Sequence, residues 1–99
     1  YFYSDHGGPF PRHKRAIYET GTKVPFLVKV PGGKNEKVNK KQLLSFVDLA
    51  PTVLSIAGVK SPSEYQGFAF LGKNKSKIER EFLYTSSDRF DNVPDRIDI

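Results

Sequence analysis

The residues best equipped for chemistry sit in Ser4-Asp5-His6-Gly7-Gly8-Pro9. Asp5 offers a hard carboxylate oxygen and His6 an imidazole nitrogen, and adjacent residues can turn both donors onto one divalent ion where the backbone bends sharply, as Gly7 and Gly8 permit. Two donors do not complete a cage, so further carboxylates must come from elsewhere in the fold. Spacing alone leaves a second reading open, in which Asp5 holds a turn and His6 bonds to a neighbour. Downstream comes Lys14, flanked by Arg12, His13 and Arg15. If the loop folds back on the preceding strand end, the Lys14 ammonium would meet an anionic substrate oxygen beside the ion and stabilise charge growing in a transition state. Arg12 and Arg15, taken singly, read as solvated surface cations.

These groups need elements to hold them. Tyr1 to Ser4 is short and aromatic and reads as the end of a strand, so the Asp-His pair falls at a strand terminus, where open α/β sheets bind ligands. Pro9 and Pro11 keep the following residues in a loop through Arg12. Lys14 to Glu19 is predicted to form a helical turn ended by Gly21, and Val24 to Val30 a largely buried strand centred on Phe26, Leu27 and Val28, stopped by Pro31-Gly32-Gly33. Gln42 to Val47 is predicted as a second strand. Asp48 then stands where a helix N-cap belongs, followed by a helix over Leu49 to Val59 with Pro51 in its first turn and Gly58 at its end. Val53, Leu54, Ile56 and Ala57 supply its expected packing face. Ser61 to Gly67 is turn-rich, Phe68 to Gly72 is a short apolar patch, Lys73 to Lys77 should be exposed, and Glu81 to Ser86 reads as a third strand. Ser87-Asp88-Arg89 follows that strand and reads as a solvated turn, with a charged tail to Asp98. Strands alternating with helices point to an α/β unit with parallel pairing.

Composition bounds the rest. The chain has 99 residues, 37% hydrophobic and 27% charged, with eight Phe and five Tyr, which suits one small globular domain. No apolar run approaches the ~18 residues needed to cross a bilayer. The absence of Cys removes disulfides and thiolate metal sites and leaves the redox compartment open. An aromatic run at the first residue reads as a strand entered midway, so a fragment is expected. The net charge of +5 is concentrated at Arg12 to Arg15 and between Lys29 and Lys41, which suits an anionic partner, although the Lys34 to Lys41 run reads first as a solvated loop. Aromatic residues are not interleaved with the lysines, which argues against nucleic acid.

Two blocks resemble the sulfatases of the alkaline phosphatase superfamily. FYSDHGGPFPRHKRAIYETGTKVPFLVKVPG is similar to that family's strand, Ser-Asp-His/Asn-Gly loop, basic residue and Val-Pro strand ending in Pro-Gly. SFVDLAPTVLSIAGV is similar to its Val-Asp-Leu-x-Pro-Thr segment ending in Ala-Gly. Together they cover roughly half of the chain, in matching order. The resemblance implies a fragment, residues 1–99, from the C-terminal part of a sulfatase catalytic domain, within an alkaline-phosphatase-like α/β fold having a mainly parallel sheet and flanking helices.

By the same resemblance Asp5 and His6 bind a divalent metal, usually Ca2+, although imidazole is an unusual ligand for so hard a cation. Lys14, ahead of Tyr18, contacts the sulfate; His13 and Arg15 acquire no role. The partners implied are a sulfated small molecule or glycan and the remainder of the sulfatase chain, and the compartment would be periplasmic, extracellular or lysosomal. The family's nucleophile is a formylglycine made within Cys/Ser-x-Pro-x-Arg. No such motif occurs here, since Ser61-Pro62-Ser63 lacks the Arg, so the nucleophile and paired acidic ligands are expected outside these residues and the segment alone should be inactive. The Val47-Asp48-Leu49-Ala50-Pro51-Thr52 stretch reads as structural, with Leu49, Val53 and Leu54 buried. Two other readings stand beside this one: a phosphoester hydrolase of the same superfamily, and a non-enzymatic module binding polyanions through Lys29 to Lys41.

Overall fold

The structure is a computed structural model and describes residues 1–32 and 41–86. These fall into two units, one built from 1–32 with 85–86 and the other from 41–84. The basic run from Lys34 to Lys40, the Ser87-Asp88-Arg89 turn and the tail to Asp98 lie outside the described residues.

In the first unit β1 (Phe2–Tyr3) and β2 (Phe26–Leu27) pair antiparallel, Phe2 opposite Leu27 and Tyr3 opposite Phe26. Tyr1 and Tyr3 flank the Phe26 ring with centroids 6.3 and 6.0 Å away, the cross-strand aromatic contact that stabilises so short a ladder. The expected strand over Val24 to Val30 is therefore regular only at Phe26–Leu27, and the one pairing among the described residues is antiparallel rather than parallel. The predicted helical turn over Lys14 to Glu19 also moves. Arg12 and Arg15 both adopt φ 63°, a left-handed backbone that interrupts a helix, so residues 11–15 form tight turns and α1 begins only at Glu19–Thr22. Gly21 is a buried member of α1 and not its terminator.

The second unit is organised by α2 (Leu49–Ile56), entered through a single 3-10 turn at Phe46–Asp48. That turn replaces the end of the strand predicted over Gln42 to Val47, and it relocates the cap. Asp48 already has helical φ and ψ of −82° and −14° and makes no side-chain cap bond to α2. Its carboxylate reaches back instead to accept the Ser45 N–H at 2.9 Å, which makes Ser45-x-x-Asp48 half of a capping-box pattern. The C-terminus agrees with expectation. Gly58 is left-handed at φ 78°, Gly58 N–H donates to Ser55 and Val59 N–H to Leu54, the Schellman arrangement that satisfies the last carbonyls.

The buried face of α2 is not the predicted one. Val53 and Ile56 are exposed, whereas Asp48, Pro51, Thr52 and Ser55 are buried. Asp48, Thr52 and Ser55 lie on one helical stripe and accept three backbone N–H groups from the segment that crosses them. Phe68 donates to Asp48 at 2.8 Å, Phe70 to the Thr52 hydroxyl at 3.1 Å and Asn74 to the Ser55 hydroxyl at 2.9 Å. The first two rungs fit for a geometric reason. Four helical residues rise about 6 Å, close to the ~6.6 Å between alternate residues of an extended chain. A segment with no strand beside it thereby satisfies amides that would otherwise cost about 1–3 kcal/mol each if buried without acceptors. Among the described residues no buried side-chain polar atom lacks a partner.

Close approach of this segment depends on two glycines. A Cβ on Gly67 would stand 1.9 Å from the Val47 carbonyl oxygen, and one on Gly72, at φ 92°, would stand 2.4 Å from the Ser55 carbonyl carbon. Arg80 closes the arrangement over Asp48. Its Nη2 donates to Oδ1 at 2.6 Å and its Nε to Oδ2 at 3.3 Å, while the guanidinium lies 5.1 Å from the centre of the Phe68 ring. The remaining predicted strand, Glu81 to Ser86, has no regular structure in the described residues, and Tyr84 there is 93% exposed. No helix among the described residues is long and apolar enough to cross a membrane.

In the full-length protein, Gly67→Ala is expected to cost more than about 3 kcal/mol in denaturant unfolding, because the added methyl collides with backbone that cannot yield. Arg80→Ala should cost about 3–5 kcal/mol by leaving the Asp48 carboxylate buried without its cation, whereas a loss below about 1 kcal/mol would show that water replaces the guanidinium.

Candidate functional site

The loop after β1 is held by short local bonds. The Ser4 hydroxyl donates to the His6 carbonyl at 2.7 Å, and the Gly7 N–H donates to the Gly21 carbonyl at 3.0 Å. Gly7 and Gly21 are required where the loop meets α1. A Cβ on Gly7 would lie 2.0 Å from the Thr20 oxygen, and one on Gly21 2.2 Å from the His13 oxygen and 2.3 Å from that of Ala16. Gly21, read from the sequence only as a helix stop, is therefore a site-positioning residue, and nothing in its local context distinguished the two.

Asp5 and His6 are both exposed at the turn, with Asp5 Oδ1 3.6 Å from His6 Nε2. The His6 ring holds its other nitrogen, Nδ1, 2.7 Å from the Gly7 carbonyl oxygen. A carbonyl can only accept, so in the neutral ring Nδ1 carries the proton and Nε2 keeps a lone pair. This is the tautomer a metal requires, fixed by an outer hydrogen bond in the manner common to histidine ligands. Donors about 2.3 Å from one ion and separated as these are would subtend roughly 100° at it, close to an octahedral or pentagonal-bipyramidal angle. The separation of the two donors is compatible with both reaching one divalent cation. Among the described residues no group of three His, Cys, Asp or Glu side chains comes together.

The loop folds back as a basic knuckle. The Gly8 carbonyl accepts both the Phe10 N–H at 2.9 Å and the Lys14 N–H at 3.0 Å, so the backbone of Lys14 returns to the residue that follows the Asp-His-Gly turn. His13 N–H donates to Phe10 and Ala16 N–H to His13, both at 3.1 Å, and the Thr20 hydroxyl anchors the Arg12 carbonyl. The left-handed Arg12 and Arg15 on either side are conformations that non-glycine residues hold at a cost of about 1 kcal/mol or more, sustained here by those bonds. Lys14 is exposed between them. Together, the carboxylate-imidazole pair and the exposed Lys14 belong to one loop tied by backbone hydrogen bonds.

Comparison with known proteins gives the family of the chain. The family described as N-sulphoglucosamine sulphohydrolase, C-terminal, matches residues 8–93, and the chain belongs to that sulfatase family. It is 50% identical to an ulvan-active sulfatase of Formosa agariphila over 98 residues, covering 98% of this chain and 16% of that protein. It is 42% identical to N-acetylglucosamine-6-sulfatase of Bos taurus over 69 residues, covering 67% of this chain and 12% of the relative. With human arylsulfatase K the identity is 33% over 82 residues, 79% of this chain and 15% of the relative. The chain spans about a sixth or less of the length of these curated relatives. No solved structure gives a significant match.

The geometry makes a direct spectroscopic prediction. Nitrogen-15 NMR of the neutral His6 ring should show a protonated Nδ1 and an unprotonated Nε2. A dominant Nε2–H form would mean that the Gly7 carbonyl does not hold the ring.

Proposed function

We propose that the protein containing this chain hydrolyses sulfate esters of sulfated glycans, with residues 1–99 forming part of one catalytic domain. The observation that carries the reading is the Asp5-His6 pair beside the Lys14 knuckle in a chain of the sulfatase family. In this reading Asp5 and His6 hold a divalent cation, Ca2+, together with carboxylates from outside these residues. When bound, the cation supplies neutralisation of the non-bridging sulfate oxygens. Asp5 contributes the hard oxygen and the negative charge, and His6 contributes Nε2, oriented by the Gly7 carbonyl. Lys14 binds a sulfate oxygen as a point charge, attracts the anionic ester and opposes the charge that accumulates as the S–O bond breaks. The nucleophile, a formylglycine, lies outside this chain. The intact domain has the alkaline-phosphatase-like fold with a mainly parallel sheet.

Sulfate is favoured over phosphate because the relatives named above are all sulfatases. Two of them are named for action on ulvan and on N-acetylglucosamine 6-sulfate, which supports a sulfated sugar as the substrate class. A non-enzymatic polyanion-binding role through Lys29 to Lys41 gains no comparable support.

In the intact enzyme, Asp5→Ala and His6→Ala should each lower bound metal, measured by elemental analysis, and reduce kcat/KM by about 10²-fold or more. His6→Asn, which restores a hard oxygen donor, should recover calcium binding better than His6→Ala. Lys14→Ala should keep its metal yet lose about 10²–10³-fold in kcat/KM. Unchanged metal content and activity in the Asp5 and His6 variants would sink this assignment.

A further inference from the structure

Four features of the knuckle are left without a role by sulfate hydrolysis alone: the exposed Phe10, the half-buried His13 and the two left-handed arginines. Phe10 is the sole Phe, Tyr or Trp between Ser4 and Ala16, and it is 65% exposed amid otherwise polar or small residues. Its position is not left to chance. The Phe10 amide and the Lys14 amide share the Gly8 carbonyl as acceptor, so the backbones of the two residues meet at one oxygen. A Cβ on Gly8 would press against the Phe10 ring at 3.2 and 3.3 Å, so glycine there gives the ring its seat. On the other side the His13 imidazole stands edge-on to Phe10, 71° between planes and 5.6 Å between centres, and the His13 amide donates to the Phe10 carbonyl. The ring thus has the His13 edge against it and is otherwise largely exposed in this segment.

A braced, exposed aromatic next to an anion-binding cation is what an amphipathic ligand needs if one part is an anion and the adjoining part a ring with apolar C–H faces. A sulfated sugar has that form. A pyranose ring presents axial hydrogens that pack on a π face, while its hydroxyls find donors and acceptors at the rim. We propose that Phe10, braced by His13, is a sugar-ring platform that determines glycan specificity beside the sulfate-binding Lys14. This inference rests on the sulfatase reading above and deepens it by naming what recognises the non-sulfate portion of the substrate. His13 serves as a positioning residue that also offers an imidazole N–H or lone pair at the platform edge, and the hydrogen bonds around Arg12 and Ala16 hold the knuckle in place.

The test uses the intact enzyme and three probes: N-acetylglucosamine 6-sulfate, ulvan oligosaccharides and inorganic sulfate as a ring-free competitor. The better-bound sugar sulfate should bind wild type more tightly than inorganic sulfate does. Phe10→Ala and Phe10→Leu, the second retaining apolar bulk without a π face, should each weaken that sugar sulfate by about three- to tenfold. Both should leave the inhibition constant of inorganic sulfate within about twofold. Phe10→Tyr should restore sugar affinity, and His13→Gln should weaken it to a lesser extent. Lys14→Ala supplies the contrast, weakening sugar sulfate and inorganic sulfate together. If Phe10→Ala and Phe10→Leu leave sugar affinity unchanged, or weaken inorganic sulfate in parallel, the platform is refuted while the sulfatase reading stands. Sugar sulfates that bind wild type no better than inorganic sulfate refute it as well. An enzyme that neither cleaves a sulfate ester nor binds inorganic sulfate overturns the reading on which the platform rests.

Discussion

The second unit depends on one buried carboxylate. Asp48 is 2% exposed and accepts hydrogen bonds from Ser45, Phe68 and Arg80, so the entry to α2, the crossing segment and the chain near residue 80 all meet at two oxygen atoms. An ionised carboxylate out of water is tolerable only when so fully engaged, and each partner is therefore held to a narrow position by the needs of that group. Thr52 and Ser55 extend the same logic along the helix with hydroxyls in place of charge. The interior of this unit is consequently specified by hydrogen-bond direction more than by volume, and Ala69 is its one buried apolar side chain among the described residues apart from Pro51.

The first unit solves a related problem with glycine. There the loop and α1 touch through backbone alone at Gly7 and Gly21, a contact that no side chain could enter. In both units, then, what carries the functional or structural groups is irregular chain fixed by backbone proximity. The regular elements are brief: strands of two residues, a four-residue α1 and an eight-residue α2. Asp5, His6 and Lys14 accordingly sit on a loop with Gly8 as its common acceptor, and not on the face of a long helix or strand.

Much of this was legible in local sequence. The Asp5-His6-Gly7-Gly8 turn at a strand end, Pro51 early in α2 and the left-handed Gly58 at its close all follow from what those residue types require within a few positions. The role of Asp48 was not legible, because its partners Phe68 and Arg80 lie 20 and 32 residues away and no local rule points to them. The Ser45-x-x-Asp48 spacing was an available clue that the helical turn begins before Leu49. The inward face of α2 was misjudged for a physical reason. Apolar periodicity assumes that a helix packs against side chains, yet α2 packs against a backbone segment that demands acceptors, so Thr52 and Ser55 turn inward and Val53 and Ile56 outward. The expected strands at Gln42 to Val47 and Glu81 to Ser86 had suitable residues, but in the described structure they find no neighbouring strand to pair with.

The distance between Asp48 and Arg80 also sets an order on biosynthesis. On the ribosome the chain emerges with α2 able to form early, since its helical bonds and its Gly58 terminus are local. Its inward stripe must stay hydrated until Phe68 to Asn74 has been made, and the carboxylate has no counter-ion until residue 80 has cleared the exit tunnel, 32 positions later. A pause in translation before Arg80 would prolong the interval in which Asp48 favours water over the interior.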